Sequence, residues 1–267
     1  MNVPAALRIM RIYPNASNTT KSPKFCAESE IIIQNMGADK TVSIWGQRHG
    51  SVWEDCFGKW AESLPENKEK WITSCDKPFS QFVIKYDVNG MEYWDNNDSN
   101  NYMVSQHSEQ LNVITGQQFP VVMGEANFKD SKLKIFAAIQ NRGKQKSVGL
   151  LYTTDQWKHH HTIKGKHSWT MDSGIEVWLF EQELDAPGVE FALFCKVGEE
   201  EFWDNNFGRN YTVSHLKTDS SQPKPENSTE SLWDKKPTVK TAQKSSPKPT
   251  KSKRSRKPKT NELQPAN

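Results

Sequence analysis

The sequence predicts an all-β protein of two repeated β-sandwich domains followed by a disordered basic tail. Three features lead there: a stretch of sequence written nearly twice, strand-like alternation inside each copy, and an abrupt change of composition after Leu216. "EYWDNNDSNNYMV" begins at Glu92 and "EFWDNNFGRNYTV" at Glu201. The likeness reaches further, since "IQNMGADKTV" (Ile33 to Val42) aligns with "IQNRGKQKSV" (Ile139 to Val148), and Trp71 with Trp178. Two copies of about 90 residues suggest paired domains, because solenoid repeats run nearer 20–50 residues.

Within each copy, "FVIKYDV" and "FALFCKV" are apolar or alternating, and rich in β-branched and aromatic residues. "DKTVSIWGQ", "KSVGLLYTTDQW" and "GIEVWLFEQEL" read as further strands, and Asn89-Gly90, Asp172-Ser173-Gly174 and Pro187-Gly188 as turns. No stretch carries a helical period. Short strands at this spacing predict roughly seven or eight per sandwich, with Phe82, Ile84, Tyr86, Val88, Phe191, Leu193 and Val197 in the cores. The expected organisation is a disordered or extended segment over 1–24, a first sandwich over 25–107, a linker over 108–126, a second sandwich over 127–216 and a disordered tail over 217–267. The tail holds 13 Lys/Arg against 5 Asp/Glu, whereas the preceding 216 residues hold 22 against 27. So few core formers in the tail cannot offset chain entropy.

With 267 residues there is room for about two domains. No apolar run approaches the roughly 20 residues that span a bilayer, and "MNVPAALRIMRIYPNASNTTKSP" is a poor signal peptide. Cys26, Cys56, Cys75 and Cys195 form no CxxC pair, which argues against a zinc ribbon and a dense disulfide framework. The reading is a soluble intracellular protein, cytoplasmic, with the basic tail leaving a nuclear address open. The sequons at Asn15, Asn18, Asn210 and Asn227 then carry no weight.

The duplicated stretch supports two readings. Asp-Asn-Asn is turn chemistry, since these side chains bond nearby backbone groups and tolerate left-handed conformations. The density of amides beside aromatics also suits a sugar: an aromatic plane accepts the C–H face of a pyranose, while Asn offers donors and an acceptor to its hydroxyls. His159, His160, His161 and His167 lack fixed carboxylate or Cys partners and read as a solvated loop; no metal, cofactor or catalysis is expected.

"F-x-I-K-Y-x-V-N-G-x-x-Y-W-D-N-N-x-x-x-N-Y-x-V", together with "SVGLLYTTDQWKHH" in the second copy, resembles the family 21 carbohydrate-binding modules. These are the starch-binding domains of some fungal glucoamylases and the glycogen-binding domains of protein phosphatase 1 regulatory subunits. The resemblance implies an immunoglobulin-like β-sandwich that binds α-1,4-glucan without catalysis. Carried over by position, it implies a platform of Trp157, Trp203, Asn205, Asn206, Asn210 and Tyr211 in the second copy. In the first it implies Trp53, Trp94, Asn96, Asn97, Asn101 and Tyr102, with Tyr152 in a secondary site. The first copy departs from the pattern, placing Trp53 in "WGQRHGSVWED", and Ser99 stands where the second has Gly208.

The resemblance also raises a phosphatase catalytic subunit as partner. "KSPKFCA" and "DKTVSIW" only approach the basic-Val-x-Phe docking motif of such relatives. The tail's "KSSPKPTKSKRSRKPK" leaves nucleic acid as a further partner class, though it lacks aromatics for base stacking. Trp233 in "ESLWDKK" reads as a short partner-docking anchor.

Overall fold

The computed structural model describes residues 4–14, 27–48, 50–104, 110–143, 145–215 and 231–234. The tail expected over 217–267 therefore lies outside the described residues, apart from 231–234. The first repeat runs as β1 (Ala5–Ile12), β2 (Ala27–Gln34), β3 (Lys40–Gln47), β4 (Trp53–Phe57), β5 (Lys59–Leu64), β6 (Lys68–Cys75), β7 (Gln81–Val88), β8 (Met91–Asp95) and β9 (Tyr102–Met103). After β10 (Asn112–Thr115), the second runs as β11 (Val121–Lys129), β12 (Lys132–Ile139), β13 (Lys146–Thr153), β14 (His161–Lys164), β15 (Lys166–Thr170), β16 (Glu176–Glu183), β17 (Gly188–Val197), β18 (Glu200–Asp204) and β19 (Tyr211–Ser214). All pairings are antiparallel.

Each repeat is two sheets face to face. In the first, β10-β1-β2-β6-β5 packs on β4-β3-β7-β8, with β9 beside β7. In the second, β11-β12-β16-β15 packs on β14-β13-β17-β18, with β19 beside β17. Alternation fills the space between: Val42, Ile44, Phe82, Ile84, Tyr86 and Val88 point inward in one repeat, and Val148, Leu150, Phe191, Leu193 and Cys195 in the other. Val197 is half-buried against the second core. The bulges repeat too, at Leu7/Ile9 and Met123/Glu125, and at Trp60/Glu62 and His167/Trp169.

Two segments differ from expectation. Ala5–Ile12, expected in the disordered or extended segment, is a core strand, and Asn112–Thr115, expected in the linker, pairs with it as β10. The other end of that linker already belongs to β11. A third apolar cluster joins the repeats: Ile9 and Val113 meet Val122, Phe136, Ala138, Trp169 and Val177. That explains why "IFAAI" in β12 is a continuous apolar run, because the strand is buried on both faces. Trp233, in a short 3-10 helix (Leu232–Asp234), packs into this cluster instead of standing free as a partner anchor. Its carbonyl accepts from the Trp169 indole at 3.2 Å, and Gly124 leaves the room for its ring that any Cβ would fill. Cys56 and Cys75 are joined by a disulfide that ties β4 to β6 across the first sandwich.

Candidate functional site

Each duplicated motif forms one compact left-handed loop at the end of its sandwich. Asn97, Asp98, Ser99 and Asn101 have φ of 53°, 55°, 69° and 53°, and Asn206, Phe207, Gly208 and Asn210 have 51°, 58°, 84° and 56°. Asn and Gly tolerate this region best. The Asn97 amide donates to the Asn101 carbonyl at 3.0 Å, as Asn206 does to Asn210 at 2.9 Å. The Asn96 side-chain oxygen accepts from Ser99 N–H at 3.0 Å, as Asn205 does from Gly208 at 2.9 Å. The backbone thus engages Asn96, Asn97, Asn205 and Asn206, and the turn reading accounts for them.

The motif aspartates anchor the loops to the opposing sheet. Asp95 accepts from the Leu7 N–H at 2.9 Å and the Tyr102 hydroxyl at 2.8 Å. Asp204 accepts from the Met123 N–H at 2.7 Å and the Tyr211 hydroxyl at 2.8 Å. Tyr102 lies in the core, stacked on Phe82, so it cannot serve as a sugar surface; burial, then Asp95, pushes its pKa well up. Tyr211 is half-buried on Phe191, with its pKa raised by burial and then by Asp204. Tyr152 is likewise in the core, beside His161, which removes the secondary site expected there.

Partly exposed indoles lie beside the loops. In the second repeat Thr153 and Asp155 organise the loop before β14. The Thr153 hydroxyl accepts from the Trp157 N–H at 3.1 Å and donates to Asp155 at 2.8 Å. Hydrogen bonds from the His159 backbone and ring, then Thr153, hold the Asp155 carboxyl well below the usual range. Trp157 takes φ of 66°, and its indole donates to Glu190 at 2.5 Å. The Asn210 amide reaches the same Glu190 oxygen at 2.8 Å. Trp157 and Asn210 are therefore brought together by a residue the motif did not point to. Trp203, 46% exposed, pairs instead with Phe194 at 5.1 Å between ring centroids. Phe194 lies four residues along β17 from Glu190, about 13 Å at strand rise, so the expected platform divides into two patches.

The first repeat is arranged differently. Trp45 on β3 contacts Trp53 at 4.5 Å and Trp94 at 5.5 Å, giving three half-buried indoles on the outer face of one sheet. Lys85 lies 5.5 Å from the centre of the Trp94 ring. Strand pairing sets Trp53 opposite Gln47 at the start of β4, whereas Trp157 precedes β14, so Trp53 is not the spatial counterpart of Trp157. No motif marks Trp45, although alternation along "VSIWGQ" turns it outward between the buried Ile44 and Gly46.

Between the repeats, Arg8 of β1 is buried and reaches Glu30 at 2.5 Å, Asp204 at 3.0 Å and the Tyr211 hydroxyl at 2.5 Å. Burial opposes its charge, but Asp204, Tyr211 and Glu30 outweigh that and push its pKa up. Burial similarly opposes the Glu30 charge, while Arg8 and Arg11 bring its pKa down to about 2. The histidines do not converge: His159 pairs with Asp155 and His167 meets Trp178 edge-on. Among the described residues no three His, Cys, Asp or Glu are set to hold a metal.

A family model described as the carbohydrate/starch-binding module (family 21) matches residues 59–105 and 116–214. Protein phosphatase 1 regulatory subunit 3C-B of Danio rerio is 33% identical over 91 residues, 32% of this chain and 29% of its own length. Protein phosphatase 1 regulatory subunit 3B of Danio rerio is 27% identical over 111 residues, 38% of each protein. These matches span well under half of either relative. Among solved structures, the starch-binding domain of Rhizopus oryzae glucoamylase, in complex with β-cyclodextrin and maltoheptaose, aligns at 23% identity with a TM-score of 0.32. That alignment covers 36% of this chain and 92% of the other.

Proposed function

The chain belongs to the family 21 carbohydrate/starch-binding modules, and from that premise we propose that it adsorbs to α-1,4-glucan, glycogen or starch, without catalysing a reaction on it. The observation that carries this reading is the set of indoles left partly open beside the motif loops. Trp203 and Trp157 flank one loop, and the Trp45–Trp53–Trp94 strip leads to the other. Indole faces take the apolar faces of glucose rings. Asn210, Glu190 and the exposed edges of Asn205 and Asn96 read hydroxyl spacing, while Asp95, Asp204 and Tyr102 hold the frame. Two tethered modules on one polymer raise apparent affinity by roughly 10²- to 10⁴-fold when the span fits.

Co-sedimentation with glycogen and insoluble starch tests this. Trp157→Ala/Trp203→Ala and Trp45→Ala/Trp94→Ala are compared with the unaltered chain, each checked for folding. Asn206 is spared because it holds the loop closed. Pelleting of the parent that falls in one or both variants supports adsorption and ranks the repeats. A folded parent that stays in the supernatant sinks the reading.

A second reading, that the chain brings a phosphatase catalytic subunit to glycogen, is favoured by the regulatory-subunit relatives. It needs a docking segment other than Lys40–Trp45, because Val42 and Ile44 are buried in the first core; Lys21–Phe25 lies outside the described residues. Pull-down of the catalytic subunit by the full chain tests it, and no retention removes it. A cytoplasmic address fits that role. No helix among the described residues is long and apolar enough to cross a membrane. The Cys56–Cys75 bridge belongs more naturally to an oxidising compartment, so its state in protein taken from cells bears directly on the address. Nothing among the relatives points to nucleic acid as a partner.

A further inference from the structure

We infer that the second motif loop takes its glucan jointly with the first repeat, in a cleft between them; the inference rests on the glucan reading above. The cleft has a volume of about 460 Å³, within the roughly 300–1,000 Å³ of small-molecule sites. One wall is the loop itself, with Trp203, Asn205 and Phe207. The other is the end of the first sandwich, with Gln34, Met36 and Lys68. No single module possesses both walls.

The walls are held in register. Arg8 ties the first repeat's β1 and β2 to Asp204 and Tyr211 at the root of the loop. Phe119, from the segment joining the repeats, meets Phe207 edge to face at 6.4 Å, and Arg209 of the loop pairs with Glu62 of β5 at 2.7 Å. The buried guanidinium explains why the loop cannot drift from its opposite wall: separating them would leave the buried Asp204 without its cation, while Glu30 stays with Arg8 and Arg11 on the first repeat.

The lining has the two components a sugar needs, aromatic surface and unlike polar groups placed around it. Gln34, Gln118 and Lys68 stand across from Trp203 and Phe207. The Gln34 amide N–H groups serve the Glu66 and Asn67 carbonyls and leave its side-chain oxygen as acceptor, while the Lys68 ammonium, paired with Glu66, keeps further donors. A related cleft beside the first loop, about 580 Å³ and bounded by Asn97, Asn101, Gln140 and Arg142, offers amides but only the core residue Tyr102 as aromatic. The cleft at Trp203 is therefore the one suited to a stacked glucose. A glucan in it contacts both repeats, so the tandem arrangement creates a subsite in addition to duplicating one.

The test is a titration of the full chain with maltoheptaose. In the unaltered protein, the backbone amide resonances of Gln34, Met36 and Lys68 should shift together with those of Asn205 and Phe207. Gln34→Ala/Lys68→Ala should weaken the Kd by about 3- to 10-fold, the range for one or two lost hydrogen bonds, with the Trp157 indole still responding. Shifts confined to the second repeat, or an unchanged Kd in this variant while Trp203→Ala weakens binding, overturn the shared cleft and leave the glucan reading standing. No binding by the folded parent removes both.

Discussion

The two repeats share a loop and differ in what surrounds it. Backbone and side chain agree bond for bond, from Asp95/Asp204 taking the opposing-strand N–H to Asn97/Asn206 closing on residues 101/210. Around this common frame, the first repeat carries three contiguous indoles, while the second carries Trp157 on Glu190 and Trp203 on Phe194. The most recognisable part of the sequence is therefore chiefly fold chemistry. The partly exposed indoles sit on the outer sheet faces, which differ between the repeats. The two repeats thus share the loop scaffold and differ in the surface beside it.

The largest expected effect tests the asymmetry at the repeat boundary. The first repeat lends Arg8 to the second repeat's Asp204, whereas Gly124 occupies the matching place on β11 beside Trp233. Arg8→Met leaves the buried Asp204 without its cation and Glu30 with Arg11 only, and should cost about 3–5 kcal/mol, lowering Tm by roughly 10 °C in thermal unfolding. The linkage has a definite sign. Glu30 falls from 4.5 to about 2 in the folded state, so its contribution is full above pH 4.5 and is lost as pH falls toward 2. The parent should lose Tm across that window, and Arg8→Met should lose less. Equal acid profiles would mean that Arg11 alone holds Glu30.

Next in size is the disulfide, which only the first repeat has. Ile163 fills the place of Cys56 in the second, packed on its core. Cys56→Ser/Cys75→Ser should cost about 3 kcal/mol, read as a lower denaturant midpoint. A variant midpoint equal to that of the oxidised parent would show that the first sandwich holds without the bridge. A smaller effect distinguishes the surfaces: Trp45→Ala should weaken glycogen binding by roughly 0.5–1.5 kcal/mol. Leu151→Ala, at the matching place on β13, should leave binding unchanged. Equal losses would mean that the indole strip has no special part.

The strands of both outer sheets and their core residues were legible because alternation is local: Val42, Ile44, Phe82 and Ile84 announce one buried face. β1 and β10 were not, because their reason is remote. "AALRIMRI" contains a charge that only Glu30 and Asp204, the latter 196 residues away, make tolerable in a core, and "LNVITG" is strand only beside β1. The site was half legible. The amide-rich loop could be found, but whether an Asn faces sugar or backbone depends on left-handed dihedrals that composition does not reveal. Trp45 could have been found from its place in β3, whereas the pairing of Trp157 with Asn210 passes through Glu190, which no motif marks.

The smallest effect probes the loop itself, at the position where the copies differ most simply. Ser99 and Gly208 both hold positive φ, 69° and 84°, and both donate their N–H to the side-chain oxygen of the Asn three residues earlier, Asn96 and Asn205. A left-handed L-residue costs about 1–2 kcal/mol, while glycine loses roughly 0.5–1 kcal/mol more chain entropy on folding. Ser99→Gly should therefore stabilise the first repeat by only about 0.5 kcal/mol, and Gly208→Ser should destabilise the second by a similar amount. A Cβ at Gly208 meets nothing within 4 Å, so no steric clash adds to that second value. Opposite and nearly equal shifts in the denaturant midpoint would show that the two loops are energetically one structure. A loss in both directions would mean that each loop has adapted to its own residue, and the likeness of the frames would then be geometric only.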